Sequence, residues 1–445
     1  MATSPTPYHQ AQIDRSLPLW AKTMHPEHTR RIVQAVRKDY LDENGAPYSW
    51  YAAASQEDQA LVRQLIGGRD TRLKALHGVL GELKQIHEFC KPLLSQRLGL
   101  DIEVDQARYI HQPYKVLAAQ ENAPGLEFSL GEPQPLITQP DGPAQPRSLL
   151  EAALHNFAGP EEVGPYDTLT QGRDSDATLY GLDPKAFVDH CRTLNLGQRY
   201  QDHLQAIYHG PRQAEIEQLW IDATRQALKT QATIASLKGL LTLKGRDALT
   251  QLCDNHPTPS YGEHTLHCWR TSLFDIPLPD VLLIGPDRTD QANPCILYVP
   301  QDSEHPIREF PSLQKAGAHL RQRLLHTPFR RHLIAFADQD RQAELTAKLE
   351  DALFEQSTAG RKPTANPKLK FDTAKLALPI WAALYRNHTR RLKADARTIA
   401  VPTAEVDAKA RKERLARWLD AGMNVLNVAA FFVPGLDAVM LGVFA

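Results

Sequence analysis

A stretch rich in proline and glycine divides this chain. The stretch from Glu121 to Arg147 contains six prolines and three glycines. Proline fixes φ and lacks the amide hydrogen that a helix interior needs, so this density excludes a continuous helix and favours an extended connector. At 445 residues the chain is also too long for one hydrophobic core. We therefore predict a domain boundary at residues 121–147.

A helical pattern precedes this connector. Leu73, Leu76, Leu80 and Leu83 alternate at spacings of three and four residues, which puts them on one face of a helix. The stripe is barely two heptads long, so it indicates a helix of an intramolecular bundle rather than a coiled coil. Residues 1–120 are accordingly predicted to form an N-terminal helical subdomain.

The hydrophobic period changes inside the next segment, residues 148–355. Helical patterns occupy its first and last parts. After His256, three short segments rich in β-branched or apolar residues alternate with turn residues, at 265–274, 281–284 and 295–299. This pattern predicts a helical core with a small antiparallel β-sheet inserted around 264–300. The predicted fold class is therefore α+β, predominantly α-helical, with helical bundle subdomains.

The last part of the chain becomes basic and then apolar. The polar, basic segment 356–370 is predicted as a linker, and residues 371–445 as basic helices that lead into an apolar segment. The final residues, Met423–Ala445, carry one formal charge, Asp437, and are long enough to span a membrane. A proline-glycine pair splits this run, so two short helices that form a hairpin, buried in protein or shallowly inserted, fit at least as well.

Basic residues lie next to the apolar segment. Residues 386–417 carry ten basic side chains against four acidic ones, and cationic residues in this position favour anionic lipid surfaces. The residues predicted to contact lipid are Arg411, Lys412, Arg414, Arg417, Phe431, Phe432, Val433, Met440 and Leu441. The alternative is a solvated helix face beside a core helix that packs on later residues. In both cases we expect more chain beyond residue 445, because a soluble protein rarely ends on an apolar run.

Charge and cysteine content restrict the partners. Lys plus Arg total 51 and Asp plus Glu total 52, a balance that argues against nucleic acid as a partner.

The five cysteines are scattered and odd in number, so we expect reduced thiols rather than a disulfide framework. The N-terminus has neither the basic nor the apolar region of a signal peptide. Secretion, or delivery into a host or target cell, is therefore expected to use a dedicated system.

Sequence motifs for catalysis are absent. Phosphate-binding loops, dinucleotide fingerprints, nucleophile elbows and zincin helices do not occur, so we predict no cofactor. The weak candidates for a metal site, whose spacings zinc would accept, are Cys253, His256, His264 and His267. Histidines occur throughout the chain, so we predict no metal. If the chain is an enzyme, its candidate pocket contains Glu304, His305, Arg308 and Glu309.

Several segments spread over nearly the whole chain have the character of structural motifs. In chain order they are Leu17-Pro-Leu-Trp-Ala, His87-Glu-Phe-Cys-Lys-Pro-Leu-Leu, Leu196-Gly-Gln-Arg-Tyr-Gln-Asp-His-Leu, Ile296-Leu-Tyr-Val-Pro, Glu304-His-Pro-Ile-Arg-Glu-Phe, and Val401-Pro-Thr-Ala-Glu-Val-Asp leading to Leu426-Asn-Val-Ala-Ala-Phe-Phe-Val-Pro-Gly. Together they resemble the dermonecrotic toxin N-terminal domain family, which stands at the front of very large bacterial toxins. These motifs carry no catalytic residue onto this chain.

The resemblance implies a modular virulence toxin. Its front part would serve delivery, docking or membrane association, and an enzymatic effector, such as a leucine-rich-repeat ubiquitin ligase, would follow on the same polypeptide. We therefore expect a non-catalytic module whose partners are an anionic membrane surface, a host protein and the downstream domains. Two alternatives stay open. One is an enzyme of hydrolase or metal type with an unrecognised site between the helical core and the sheet, and the other is a plain protein-docking module.

Overall fold

The structure is a computed structural model that describes residues 39–42, 46–99, 103–117, 137–172, 175–178, 182–287, 293–302, 304–357, 360–364 and 367–406. The main helices are α1 (Gln56–Val79), α2 (Ile86–Leu98), α3 (Leu149–His155), α4 (Pro184–Leu194), α5 (Leu196–Tyr208), α6 (Gln213–Leu237), α7 (Leu243–Cys253), α8 (Leu313–Leu324), α9 (Thr327–Ile334), α10 (Gln342–Leu353) and α11 (Trp381–Ile399).

The strands are β1 (Arg108–His111), β2 (Tyr114–Leu117), β3 (Ile137–Pro140), β4 (Gln145–Ser148), β5 (Thr168–Gly172), β6 (Ser175–Thr178), β7 (Ser260–Tyr261), β8 (His264–Thr265), β9 (His267–Leu273), β10 (Ile276–Gly285), β11 (Cys295–Tyr298), β12 (Ile307–Phe310), β13 (Phe354–Ser357), β14 (Gly360–Pro363) and β15 (Phe371–Leu376). The fold is therefore α+β and mainly helical, which confirms the predicted class.

The chain divides into two compact units, each assembled from separate stretches of sequence. The large unit contains the described residues up to Leu83 together with Gln205–Asp395. The small unit contains Lys84–Leu204 and the described residues from Ala396 onward. Helices α5 and α11 each contribute residues to both units.

Helices α1 and α6 pack together in the large unit. Ser55 caps the start of α1, because its hydroxyl accepts a hydrogen bond from the amide of Asp58 at 3.1 Å. On α6, the side chains of Gln226 and Thr230 donate to the carbonyl of Leu65 at 3.1 and 3.3 Å. These bonds fix the two helices along their buried faces.

The predicted leucine stripe is buried at all four positions, which are at most 6% exposed. Only Leu73 and Leu76 lie on α1, because the helix ends at Val79. Leu80 and Leu83 form a turn in which the amide of Leu83 donates to the carbonyl of Leu80 at 2.8 Å. The periodicity thus identified the buried residues and placed the end of the helix too late.

The predicted sheet is present in the large unit, with strand order β12-β11-β10-β9-β15 and antiparallel pairing throughout. Strands β9, β10 and β11 overlap the three predicted segments. Helices α8, α9 and α10 share the hydrophobic core of this sheet. Strand β15 comes from residues that follow the predicted linker at 356–370, and that segment itself contains β14 and the end of β13.

The small unit contains an antiparallel sheet of order β4-β1-β5-β6. Three of the four residues of β4 lie inside the predicted connector at 121–147, and all four pair with β1. The described residues of that stretch, 137–147, contain no helix. The prolines permit a strand because β4 is at the edge of the sheet, where a proline such as Pro146 need not donate a hydrogen bond.

Close backbone packing holds residues 401–403 in the small unit. The amide of Val401 donates to the carbonyl of Leu154 at 2.9 Å, and the side-chain amide of Asn156 donates to the hydroxyl of Thr403 at 2.9 Å. A Cβ atom at Gly197 would lie 2.4 Å from the backbone of Val401, so only glycine permits this approach. Two of the segments that carry the family resemblance therefore meet in space.

All five cysteines are buried, and none of them forms a disulfide bond.

Candidate functional site

Three of the four residues predicted to line a pocket belong to one charged cluster in the large unit. Glu304 and His305 lie in the loop between β11 and β12, and Arg308 lies on β12. The structure adds two residues that the sequence analysis did not select, Asp302 from the same loop and Arg323 from α8. The fourth predicted residue, Glu309, has different partners.

Asp302 and Arg323 form the centre of this cluster. The guanidinium donates to both carboxylate oxygens of Asp302, at 2.8 and 3.1 Å, and stacks over the ring of Phe329 at 4.2 Å. The same carboxylate accepts from the amides of Glu304 and His305, at 3.3 and 3.4 Å. A bidentate pair with backbone donors is a strong arrangement, and it fixes the β11–β12 loop onto helix α8.

Two uncharged imidazoles face this cluster. Arg323 Nη1 lies 3.2 Å from His305 Nδ1, and because a guanidinium only donates, Nδ1 accepts and Nε2 carries the proton. Burial and the positive charges of Arg323 and Arg308 lower the pKa of His305. Burial and the same two arginines lower the pKa of His319 to about 4. The cluster therefore offers neutral hydrogen-bonding groups at neutral pH, with Glu304 at its exposed side.

Glu309 braces the start of α7. Its carboxylate accepts from the amide of Thr242 at 2.6 Å, from the Thr242 hydroxyl at 3.1 Å, and from the hydroxyl of Tyr261. Thr242 in turn caps α7, because its hydroxyl accepts from the amide of Gly245. Burial and the adjacent carboxylate raise the pKa of Tyr261 to about 12. Glu309 therefore joins β12 to the start of α7 and to the β7–β8 hairpin.

We expect Glu309→Gln to lower the free energy of unfolding by about 1–2 kcal/mol, because glutamine has only one acceptor oxygen and would turn its NH2 group toward a group that now donates to the carboxylate. Glu304→Gln is the matched control, since that side chain is 51% exposed and should change stability by less than about 0.5 kcal/mol. Urea unfolding of both variants measures the difference. Equal stability of the two variants would contradict the bracing role of Glu309.

The candidate metal ligands have separate surroundings. Cys253 is buried on α7, where burial raises the pKa of its thiol. His256 Nδ1 accepts from the amide of Thr258 at 3.3 Å. His264 pairs with Tyr261 in the β7–β8 hairpin, and His267 Nε2 lies 3.7 Å from Asp287. Within the described ranges, no group of three or more His, Cys, Asp or Glu side chains is placed to hold a metal ion.

The small unit contains a second polar site, which the sequence analysis missed. Asp167, directly before β5, has a fully buried carboxylate that accepts from the hydroxyl of Tyr109 at 2.6 Å. The amides of Gln112 and Gly164 donate to it at 3.0 and 3.1 Å, and His111 Nδ1 lies at 3.1 Å. Burial would raise the pKa of Asp167, but these hydrogen bonds outweigh it and lower the pKa below its usual value.

This arrangement orients one histidine. An ionised carboxylate can only accept, so His111 Nδ1 carries a proton and Nε2 is left on the side of the ring away from Asp167. The His111 side chain is 36% exposed. A histidine held in this way can accept a proton or a hydrogen bond at Nε2. The only sequence signal for the site is that Tyr109 and His111 share one face of β1.

These sites belong to a mainly helical α+β scaffold. A sequence model described as the dermonecrotic toxin N-terminal domain matches residues 80–340, more than half of the chain, and includes both sites. The chain therefore belongs to the dermonecrotic toxin N-terminal domain family, which confirms the resemblance. A search of curated proteins gave no match.

The residues predicted to contact lipid, from Arg411 to Leu441, lie outside the described residues. Across the part of the chain that is described, no helix is both long enough and apolar enough to cross a membrane.

Proposed function

We propose that this chain is a non-catalytic module of a secreted bacterial toxin, which brings the toxin to an anionic membrane surface for a downstream effector domain. The observation that carries the proposal is membership of a toxin N-terminal domain family. The arrangement of the chemically capable side chains supports a non-catalytic role. Asp302, Arg323 and Glu309 each bond to neighbouring loops and helices, as expected of residues that hold a scaffold rigid.

Four of the five Lys and Arg residues of α11 have protein partners. Those partners are Asp338 for Arg390, Asp280 for Arg391, Gln205 for Lys393 and Glu405 for Arg397. Arg391 is buried and cannot reach lipid. The electrostatic attraction in our proposal therefore depends on the later basic residues, Arg411, Lys412, Arg414 and Arg417, beside the apolar run that starts at Met423.

Flotation with lipid vesicles tests this proposal. Residues 1–445 should float with vesicles of phosphatidylcholine and phosphatidylserine, and a form that ends at Asp420 should not, because it lacks the apolar run. Replacing Arg411, Lys412, Arg414 and Arg417 with glutamine should weaken binding on the order of a hundredfold or more, since each cation near an anionic surface contributes roughly 1 kcal/mol.

The matched control replaces four basic residues of α11, Arg386, Arg390, Lys393 and Arg397, with glutamine. This variant removes the same charge and should keep most of its vesicle binding. Equal flotation of the full chain and the form ending at Asp420 would contradict lipid contact. Capture of a purified host protein by both forms, without lipid, would favour the alternative of a protein-docking module.

A further inference from the structure

Unpartnered polar atoms are concentrated in one place in the large unit. Nine buried side-chain nitrogen or oxygen atoms lack a hydrogen-bond partner within the described part of the chain. Five of the nine belong to neighbouring rings, which we call the polar seam: Tyr208, Trp220, Trp381, Tyr385 and His388. Since buried polar groups are almost always paired, such a concentration calls for a common cause.

Helix geometry brings these rings together. Trp381, Tyr385 and His388 occupy positions i, i+4 and i+7 of α11, which lie on one face. Trp220 on α6 stacks on His388 with ring centroids 5.3 Å apart, and its ring lies 5.6 Å from that of Tyr385. Burial and the nearby phenol of Tyr385 raise the pKa of Tyr208, at the end of α5. All five side chains are at most 4% exposed.

The seam carries no charge of its own. Burial, with the neighbouring Arg391, lowers the pKa of His388 to about 3, so the imidazole is neutral. Burial and the neighbouring Glu217 raise the pKa of Tyr385 to about 12, so the phenol keeps its proton. The guanidinium of Arg391 is already engaged by Asp280 and by a backbone carbonyl. A molecule that fits this site must therefore be uncharged.

The ring atoms also define the hydrogen-bonding character of that molecule. The indole nitrogens of Trp220 and Trp381 only donate, whereas the phenols and the neutral imidazole can take either role. The molecule must both accept and donate, and it must be small, because the ring of Trp220 already contacts those of Tyr385 and His388. Water has all of these properties, and a buried water typically makes about three hydrogen bonds to otherwise unpaired groups.

We propose that the polar seam is a hydrated internal site, in which ordered water bridges Trp220, Tyr385, His388 and Tyr208 between helices α5, α6 and α11. Without such a molecule, these four desolvated polar groups would cost a large part of the net stability of a domain. The seam thus joins three helices through water as well as through ring packing.

Removing single hydroxyl groups tests the proposal, because the midpoint of thermal unfolding should fall if water is bound and rise if it is not. If water bonds to the phenols, Tyr385→Phe and Tyr208→Phe should each lower the midpoint of thermal unfolding by roughly 2–4 °C, because a bridged water loses a partner. If the phenols are unpartnered, the same changes should raise the midpoint. Tyr51→Phe is the reference, since that hydroxyl bonds to Arg63 at 2.5 Å and must show a fall. A rise, or no change, in both seam variants overturns the proposal.

A crystal structure of the unchanged chain tests the proposal even if a variant does not fold. A high-resolution crystal structure of the unchanged chain should show separate rounded density peaks within hydrogen-bonding distance of Trp220 Nε1 and of the two phenols. Density for a larger molecule, or density-free space between the rings, would overturn the assignment to water.

Discussion

Replacing Arg391 with alanine is expected to lower the free energy of unfolding by about 3–5 kcal/mol, because it leaves the carboxylate of Asp280 buried without a counter-charge. The Arg391 and Asp280 side chains are 5% and 12% exposed, and their charged atoms lie 2.8 Å apart. Arg391 also donates to the carbonyl of Phe336 at 3.1 Å. No other ion pair described in the large unit that involves α11 is as deeply buried.

The adjacent residue supplies the matched control. Arg390 pairs with Asp338 at 3.2 Å, but its side chain is 55% exposed, so Arg390→Ala should cost less than about 1 kcal/mol. A double variant, Arg391→Met with Asp280→Leu, should recover most of the stability that either single change loses, because no buried charge remains. Denaturant unfolding measures all four proteins. Equal losses for Arg390→Ala and Arg391→Ala would contradict this interpretation.

The pair also explains how α11 is attached to the sheet. Asp280 lies on β10 where the register with β9 shifts between Leu278 and Leu282. Such an irregularity redirects a side chain out of the regular alternation. Here the residue concerned, Asp280, receives the arginine of α11. Loss of the pair should therefore loosen α11 specifically, which hydrogen exchange of its amides would detect.

The second large effect is expected at Asp167, in the small unit. Asp167→Asn should lower the free energy of unfolding by about 2–4 kcal/mol, because its carboxylate accepts charge-assisted hydrogen bonds from Tyr109, His111 and two backbone amides. An asparagine has one acceptor oxygen and would direct a donor at the remaining groups. Asp141→Asn is the control, because Asp141 is exposed and lies 3.8 Å from Lys115.

The same substitution should change the response to acid. The folded protein holds the pKa of Asp167 below its unfolded value of 3.8, so the stabilisation is fully present above that value. It is lost as the pH falls through the lower, folded pKa. Asp167→Asn should therefore be less stable than the unchanged protein at neutral pH and approach it in strong acid. A constant difference between pH 7 and pH 2 would show that the charge of Asp167 contributes nothing.

Local periodicity was enough to predict much of the fold. The helices, the burial of Leu73 and Leu76, and the position of the sheet around 264–300 follow from patterns within short windows of sequence. Each of these features depends on neighbours along the chain, through helical spacing, capping or strand alternation. The toxin family could also be recognised from the sequence, because its segments are contiguous.

Other elements depended on residues far away in sequence. Strand β4 lies among prolines and forms through its pairing with β1, and β15 has an exposed face and takes its register from β9. The partners of charged residues also depend on residues far away in sequence. Arg391 counts as one of ten basic residues in a polar stretch of sequence, but the fold pairs it with Asp280, more than a hundred positions earlier.

The sequence by itself therefore determined the class of fold and the mainly helical content, because local periodicity carries that information, and its contiguous motifs identified the family. Only the tertiary structure decided which polar residues work together: Asp167 with His111, Asp302 with Arg323, and the rings of the polar seam. The physical reason is that a buried polar group must find a partner in space. That partner can come from any part of the chain.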